Sequence, residues 1–255
     1  MISLLRAFIM RDYAIERSYR FHLLMKAADI LFQLGLFFFL SRLVSIQDYF
    51  PFVLVGLMFS RFFGFWINVF TQNIRQEQYW GTAELLFLSP HGPLGILLAS
   101  AAGKLALLLL ELAVYVLLGR FLFGVTFSSG TLLAVPLLFI NSIAFAGIGL
   151  FAGSFILYFK RGDPANWLVT SSFDLLSGVY FPLSVLPSSL QTLAWFLPTT
   201  SALALWRASF LSQSVPSFSQ LAVQGAWALA LGAAGLFALQ LSVTLARKKG
   251  DLGSY

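Results

Sequence analysis

The most informative shortage in this sequence is charge. Only 10% of the 255 residues are Asp, Glu, Lys or Arg, whereas about 25% is usual for soluble domains. So few charges cannot cover a soluble surface, and 59% of the residues are hydrophobic. The composition therefore excludes an ordinary soluble protein and predicts that lipid surrounds most of the chain.

Cysteine is absent and histidine is scarce. Without cysteine the chain can form neither a disulfide nor a thiolate metal site. The two histidines, His22 and His91, are far apart in the sequence, so we predict surface positions for both and no metal site. The net charge of +6 does not indicate a nucleic-acid partner, because the basic residues gather beside hydrophobic runs.

Sequence signatures of catalysis are also missing. No GxGxxG motif occurs, and Gly103-Lys104 lacks the earlier glycine and the following Ser or Thr of a phosphate-binding loop. No GxSxG nucleophile elbow is present. We therefore predict that the chain is not an enzyme by itself, and that a gradient or a partner protein supplies the energy for any work it does.

What the sequence does contain is six hydrophobic runs long enough for transmembrane helices, which need about 20 apolar residues. The predicted spans are 24–44, 50–70, 94–118, 132–158, 165–186 and 221–246. Between the last two spans lies an apolar segment interrupted by proline, which we interpret as two short helices entering the outer leaflet. The predicted fold class is an all-α membrane protein of six transmembrane helices, with a broken helical hairpin at 187–212.

The basic residues predict the orientation, since Lys and Arg accumulate on the cytoplasmic side of short loops. Most of the 16 basic residues lie in cytoplasmic segments if both termini are inside. Residues 1–22 are interpreted as an amphipathic interfacial helix before a permease domain at 23–255. Its basic stripe holds Arg6, Tyr13, Arg17 and Arg20, and its apolar stripe holds Ile2, Leu5 and Ile9. The alternative is a simple topology signal.

Four ionisable residues fall inside the predicted spans, where charges are costly and usually functional. They are Arg61, Lys104, Glu111 and Asp174. If spans two and three are antiparallel neighbours, Arg61 and Glu111 reach compatible depths and can form an ion pair. These charges either stabilise the helix packing or line a substrate path. They also support an alternative function, an ion-coupled secondary transporter or a channel.

Two stretches resemble the type-2 permeases of ATP-binding-cassette transporters. Residues 81–104 resemble the loop entering the third span, which often reads G-T-x-E-x-L-x-x-S-P. The matching positions are Gly81, Thr82, Glu84, Leu86, Ser89 and Pro90, and Ala83 departs from a frequent Leu. Residues 177–210 resemble the fifth span and the outer hairpin of that family. The residues that carry this second likeness are Pro182, Pro187, Pro198 and Arg207.

The resemblance implies a half-permease of the bacterial cytoplasmic (inner) membrane, with cytoplasmic termini. Two copies would form a homodimeric pore that exports drugs, lipids, glycolipids or polysaccharides. Separate ATPase subunits would bind ATP and Mg, and this chain would bind no cofactor. Segment 72–93 would be the cytoplasmic coupling segment that meets the ATPase. Its predicted contact residues are Glu77, Tyr79, Trp80, Gly81, Thr82, Glu84, Ser89 and Pro90.

Overall fold

The computed structural model describes residues 2–18, 20–44, 48–79, 81, 90–128, 134–159, 163–212 and 214–249. Every regular element in these ranges is helical. The α-helices are α1 (Ile2–Ser18), α2 (Arg20–Leu43), α3 (Tyr49–Tyr79), α4 (Gly92–Phe121), α5 (Ala134–Phe159), α6 (Asp163–Leu176), α7 (Ser188–Trp195), α8 (Pro198–Leu211) and α9 (Phe218–Lys249). The prediction of an all-α membrane protein is confirmed.

Five helices of the described ranges are long and apolar enough to cross a membrane. They contain the segments Leu24–Leu43, Tyr49–Tyr79, Gly92–Phe121, Ala134–Tyr158 and Phe218–Ala246, which match predicted spans one, two, three, four and six. The predicted fifth span, 165–186, is instead the 14-residue helix α6. At 1.5 Å per residue α6 is about 21 Å long, less than the ~30 Å hydrocarbon core. The count of six spans is compatible with this set of helices and stays a prediction.

The end of α6 explains why the fifth hydrophobic run is not one continuous helix. Gly178 has a φ of +76°, a left-handed conformation that glycine adopts without penalty. Its N–H donates to the carbonyl of Leu175, and the N–H of Val179 donates to the carbonyl of Asp174 at 3.1 Å. This pair of bonds is a Schellman motif. The helix therefore stops well before the end of the apolar run that contains it.

The hairpin at 187–212 has the two short helices that its prolines predict. Pro187 is the N-cap of α7, and Pro198 is in the first turn of α8. Proline suits both places, since it lacks the N–H that the first turn of a helix leaves unpaired. Pro182 precedes a single 3-10 turn at Leu183–Val185. The depth of this hairpin in the membrane remains a prediction.

Helix α3 is the centre of the described structure, because it packs against α2, α4, α5, α6 and α8. Its buried phenylalanines form a continuous aromatic cluster with neighbouring helices. The Phe59 ring lies 5.7 Å from that of Phe145 on α5 and 5.3 Å from that of Trp206 on α8. Phe62 also contacts Trp206, at 5.1 Å. Such ring pairs add to the free energy of burial and hold α3, α5 and α8 in register.

Glycines bring α5 into backbone contact with two other helices. A β-carbon at Gly149 would overlap the Trp66 carbonyl on α3, and one at Gly153 would lie 2.9 Å from Ile74. Two glycines spaced four residues apart, a small-xxx-small pair, therefore permit close helix packing. On another face, Gly147 of α5 and Gly235 of α9 leave no room for a β-carbon on either helix.

Candidate functional site

Much of the predicted coupling segment lies outside the described residues. This holds for Trp80, Thr82, Glu84 and Ser89. Glu77 and Tyr79 occupy the last turn of α3, and the Tyr79 side chain is exposed. Helix α3 thus continues nine residues past the predicted end of span two at 70 and carries the start of the coupling segment with it.

A turn beside a Gly-Pro pair ends the segment. Pro90 and His91 lie in a turn, and α4 begins at Gly92, whose φ is +66°. Pro93 stands in the first turn of α4, where its missing N–H costs no hydrogen bond. The chain is therefore redirected into span three at this point.

A polar cavity of about 580 Å³ opens between α2, α3, α4 and α6. Its charged lining consists of Lys26, Arg61, Lys104 and Glu111. Amides and hydroxyls complete the polar wall, among them Gln33, Ser60, Asn68, Gln72 and Thr170. Three of the four charges predicted inside the spans therefore meet at one cavity.

Arg61 is the centre of a hydrogen-bond network that joins three helices. Its guanidinium donates to the Asp29 carboxylate and, at 3.3 Å, to Gln33 Oε1, both on α2. On α4 it donates to Tyr115 Oη at 3.2 Å, and Tyr115 donates in turn to Gln33 Oε1 at 2.6 Å. The ion pair expected with Glu111 is present, but at 3.8 Å between Nε and Oε1 it is the longer of the two carboxylate contacts.

Asp29 is a further functional candidate, which was not among the four charges predicted inside the spans. It lies close to the start of predicted span one, 24–44, so its depth did not mark it as an intramembrane charge. A signal for it exists in the sequence, because Lys26, Asp29 and Gln33 are spaced three and four residues apart. That spacing places polar groups on one face of a helix that is otherwise apolar.

Lys104 has a different environment from Arg61. Its Nζ donates to Asn73 Oδ1 on α3 at 2.6 Å, and Asn73 donates to Ser100 Oγ at 2.6 Å. Among the described residues no carboxylate lies within ion-pair distance of Lys104. Its hydrogen bond is therefore made to a neutral amide, while the Asp12 carboxylate of α1 interacts with it electrostatically from a longer distance.

The neighbour of Lys104 brings the first helix close to the cavity. A β-carbon at Gly103 would lie 2.6 Å from Asp12 Oδ2 of α1, so the absence of a side chain lets α1 rest on α4. Asp12 is buried and pairs with Arg11 at 2.9 Å. Lys104 is the next residue of α4 and lies close to the middle of that helix.

Asp174 stands behind the cavity wall. Its side chain is buried on α6 and accepts a hydrogen bond from Ser60 Oγ on α3 at 2.7 Å. Ser60 also lines the cavity, so a single hydroxyl separates the Asp174 carboxylate from the polar space. Asp174 thus lies beside the cavity, next to Ser60, without being part of the lining.

Arg207 of the outer hairpin forms hydrogen bonds to the segment that follows α6 and to the first turn of α3. Its guanidinium donates to the carbonyls of Gly178 at 2.8 Å and Val179 at 3.1 Å, and to that of Phe52 at 3.2 Å. It also lies 3.4 Å from the centre of the Phe52 ring. Because the carbonyls at a helix C-terminus carry partial negative charge, a cation there stabilises the end of α6. Gly56 permits this approach, since a β-carbon there would lie 3.0 Å from the guanidinium.

An apolar surface runs along α2 beside the polar cavity, and all the residues that form it belong to this one helix. It includes Phe32, which is 82% exposed, together with the exposed side chains of Leu36, Phe39 and Leu43. Asp29 also lies on this surface, and Gln33 belongs both to it and to the cavity lining. The apolar face of α2 therefore begins beside the cavity.

Comparison with known proteins identifies a family that matches the chain. The model of a family described as ABC-2 type transporter matches residues 4–211. The match covers α1 to α8 and includes the polar cavity, the outer hairpin and the whole of segment 72–93. None of the curated proteins matches the chain.

Proposed function

The chain belongs to the ABC-2 type transporter family, and we propose that its polar cavity is part of the path by which an ATP-driven exporter moves an amphipathic substrate. Family membership makes the chain a multi-pass membrane permease component of an ABC transporter. The cavity is the observation that carries the proposal, because it gathers charged and hydrogen-bonding groups between helices that are otherwise apolar.

The charges around the cavity support a path rather than a scaffold. An ionisable side chain inside a membrane protein is costly unless it faces water, a ligand or a partner charge. Arg61 meets two carboxylates, but Lys104 faces the same cavity with only an amide oxygen as its hydrogen-bond acceptor. Lys104 also bonds α4 to α3 through Asn73, but its side chain lines the cavity.

The assembly that we propose has four subunits and no nucleotide on this chain. Two separate ATPase subunits bind ATP and Mg and dock on segment 72–93, while a second copy of this chain completes the path. The missing phosphate-binding loop supports the first part. The exposed apolar face of α2 leaves surface for lipid and for the second copy. The basic loops support a bacterial cytoplasmic membrane with both termini inside.

The test is co-purification and transport with an ATP-binding-cassette ATPase encoded beside this chain. We expect a stable complex whose vesicles accumulate substrate only when ATP and Mg are present. The charge reversal Glu84→Lys should lower ATPase binding without changing membrane insertion, since the family resemblance places Glu84 in the docking segment. The matched control is Lys248→Glu, a reversal at an exposed position near the end of α9.

Two results would count against this function. An ATPase that fails to bind the unaltered chain removes the proposed partnership. Substrate movement that follows a proton or sodium gradient without ATP supports the alternative of an ion-coupled carrier or channel that uses Arg61, Lys104, Glu111 and Asp174. An unchanged complex with Glu84→Lys removes only that residue from the docking site.

A further inference from the structure

We propose that the Lys104 ammonium exchanges between two acceptors, the Asn73 amide on α3 and the Asp12 carboxylate on α1, so that Asp12 sets how firmly α1 is held on α4. Asp12 is then a positioning residue, which acts through Lys104 and not on a transported molecule. This inference goes beyond the proposed function, because it depends on neither the substrate nor the ATPase.

The Asp12 carboxylate has one oxygen with hydrogen bonds and one without. Oδ1 accepts two hydrogen bonds from the Arg11 guanidinium, at 3.0 Å from Nε and 2.9 Å from Nη2. Oδ2 is buried and accepts no hydrogen bond from any residue that the structure describes. A buried acceptor without a donor costs free energy. Oδ2 is therefore available to a further donor.

This second oxygen faces α4 beside Lys104. A β-carbon at Gly103 would lie 2.6 Å from Asp12 Oδ2 and 3.4 Å from the α-carbon of Ile9. The two helices are therefore in close contact at Gly103, and Lys104 is the next residue of α4. The Asp12 carboxylate already interacts electrostatically with the Lys104 ammonium from beyond ion-pair distance.

Lys104 has enough donors and enough freedom to bond on either side. An ammonium has three N–H donors, and its hydrogen bond among the described residues goes to Asn73 Oδ1, at 2.6 Å. The flexible four-carbon stem of lysine lets the ammonium turn toward α1 without a change in the backbone. Asn73 keeps a partner after the exchange, because its amide donates to Ser100 Oγ at 2.6 Å.

The two acceptors belong to different contacts of α4. Bonded to Asn73, Lys104 joins α4 to α3 six residues before that helix ends at Tyr79. Bonded to Asp12, it joins α4 to α1, and α1 packs mainly against α4. One ammonium thus serves two helix contacts, so a stronger bond to one helix weakens its bond to the other. Such coupling is reciprocal: a change at the end of α3 alters the hold on α1, and the reverse.

The experiment measures how often α1 leaves α4 in the purified full-length chain, without an ATPase. The sequence contains no cysteine, so a single introduced thiol is labelled without background. Ala99 is buried and lies on the same face of α4 as Gly103, four residues earlier. The thiol of Ala99→Cys should therefore react with a maleimide when α1 is lifted. Ala202→Cys, at a buried position of α8, reports global unfolding instead.

Two substitutions should change the labelling rate of Ala99→Cys in opposite directions. Asp12→Asn removes the charge that attracts Lys104 to α1 and should raise the rate several-fold. Asn73→Ala removes the competing acceptor, transfers Lys104 to Asp12 and should lower the rate several-fold. Damage to the packing around the buried Asn73 would raise the rate, so the sign of the change separates the exchange from a merely structural role.

Combined variants test whether the two acceptors act through the same ammonium. Asp12→Asn added to Asn73→Ala should raise the rate at least about tenfold over Asn73→Ala alone, the effect of one charge-assisted hydrogen bond. In a Lys104→Met background, Asn73→Ala should no longer lower the rate. The matched control is Arg6→Gln at an exposed position of α1, which should label as the unaltered helix does. Ala202→Cys should label equally slowly in every variant.

A faster or unchanged rate in Asn73→Ala would overturn the exchange. A lowered rate that persists when Lys104→Met is present would assign the effect to another group and remove Lys104 from the proposal. An unchanged rate in Asp12→Asn would show that α1 is held by other contacts. Because neither ATPase nor substrate is present, none of these results depends on the proposed function.

Discussion

Helices α3 and α2 are neighbours in the same bundle and differ sharply in how much of each is buried. In the membrane-spanning part of α3, 67% of the residues are buried, against 11% in that of α2. Aromatic rings and glycine contacts fix α3 against α5 and α8. By contrast, α2 buries few side chains, and it joins the bundle through the polar network around Arg61, the buried Ile30 and Leu34, and the ring contacts of Phe37 and Phe38. The chain thus separates a packed scaffold from a loosely held wall that borders the polar cavity.

The difference indicates which substitutions should change the stability of the protein and which should change the candidate site. Close packing against backbone tolerates no added volume, because neither partner can move aside. A polar network at the edge of a cavity can lose a member and admit water or a ligand in its place.

The largest effect is expected at the scaffold. Gly149→Leu places a side chain against the Trp66 carbonyl and should cost about 3 kcal/mol or more through overpacking. We expect a fall of roughly 10 °C in unfolding temperature, or no recovery of folded protein, measured by fluorescence-detected size exclusion after heating. Gly225→Leu, in open space on α9, should change neither. Equal stability of the two variants would contradict the backbone contact between α3 and α5.

A smaller loss is expected where the outer hairpin joins the scaffold. Arg207→Met keeps the length of the side chain and removes the hydrogen bonds to the Phe52, Gly178 and Val179 carbonyls. Leaving buried carbonyls unpaired should cost about 2 kcal/mol, read as a lower unfolding temperature. The control is Arg120→Gln at an exposed position of α4. If both substitutions change the unfolding temperature equally, the hydrogen bonds of Arg207 do not stabilise the end of α6.

The smallest effect is expected at the loosely held wall. A double-mutant cycle of Arg61→Met and Asp29→Asn should give a coupling of about 1 kcal/mol. The Asp29 side chain is 61% exposed, so solvent screening limits the strength of the pair. The double variant should unfold at a higher temperature than Arg61→Met alone, because it no longer leaves the Asp29 carboxylate without its partner. Strict additivity would show that the two helices are held by other contacts.

Most of the fold could be predicted from the sequence, because hydrophobic run length is a direct consequence of bilayer thickness. Five of the six predicted spans match long helices of the described residues. The exception depends on local geometry: the left-handed conformation of Gly178 ends α6 inside an apolar run. Hydropathy does not distinguish an apolar helix from an apolar turn, so the run 165–186 was predicted as one span.

The sequence predicts most of the residues of the candidate site, but it does not predict which residues contact one another. A charged side chain is costly in lipid, so Arg61, Lys104 and Glu111 stand out in the sequence. The structure places all three around one cavity. Their partners depend on which helix faces which, and that is a tertiary property. Arg61 therefore contacts Asp29, which sequence depth alone did not select, and Lys104 contacts Asn73 rather than an acid. The coupling segment remains a prediction from family resemblance at the residues outside the described ranges.

The contact between α5 and α9 constrains the order in which the molecule can assemble. Gly147 has its partner in Gly235, on the last described helix of the chain. Until residue 235 has left the ribosome, α5 must remain in the bilayer with that glycine surface covered by lipid or by the translocation machinery. The contact can therefore form only after all the helices of the family match have been synthesised, and α9 joins the bundle from a region beyond that match.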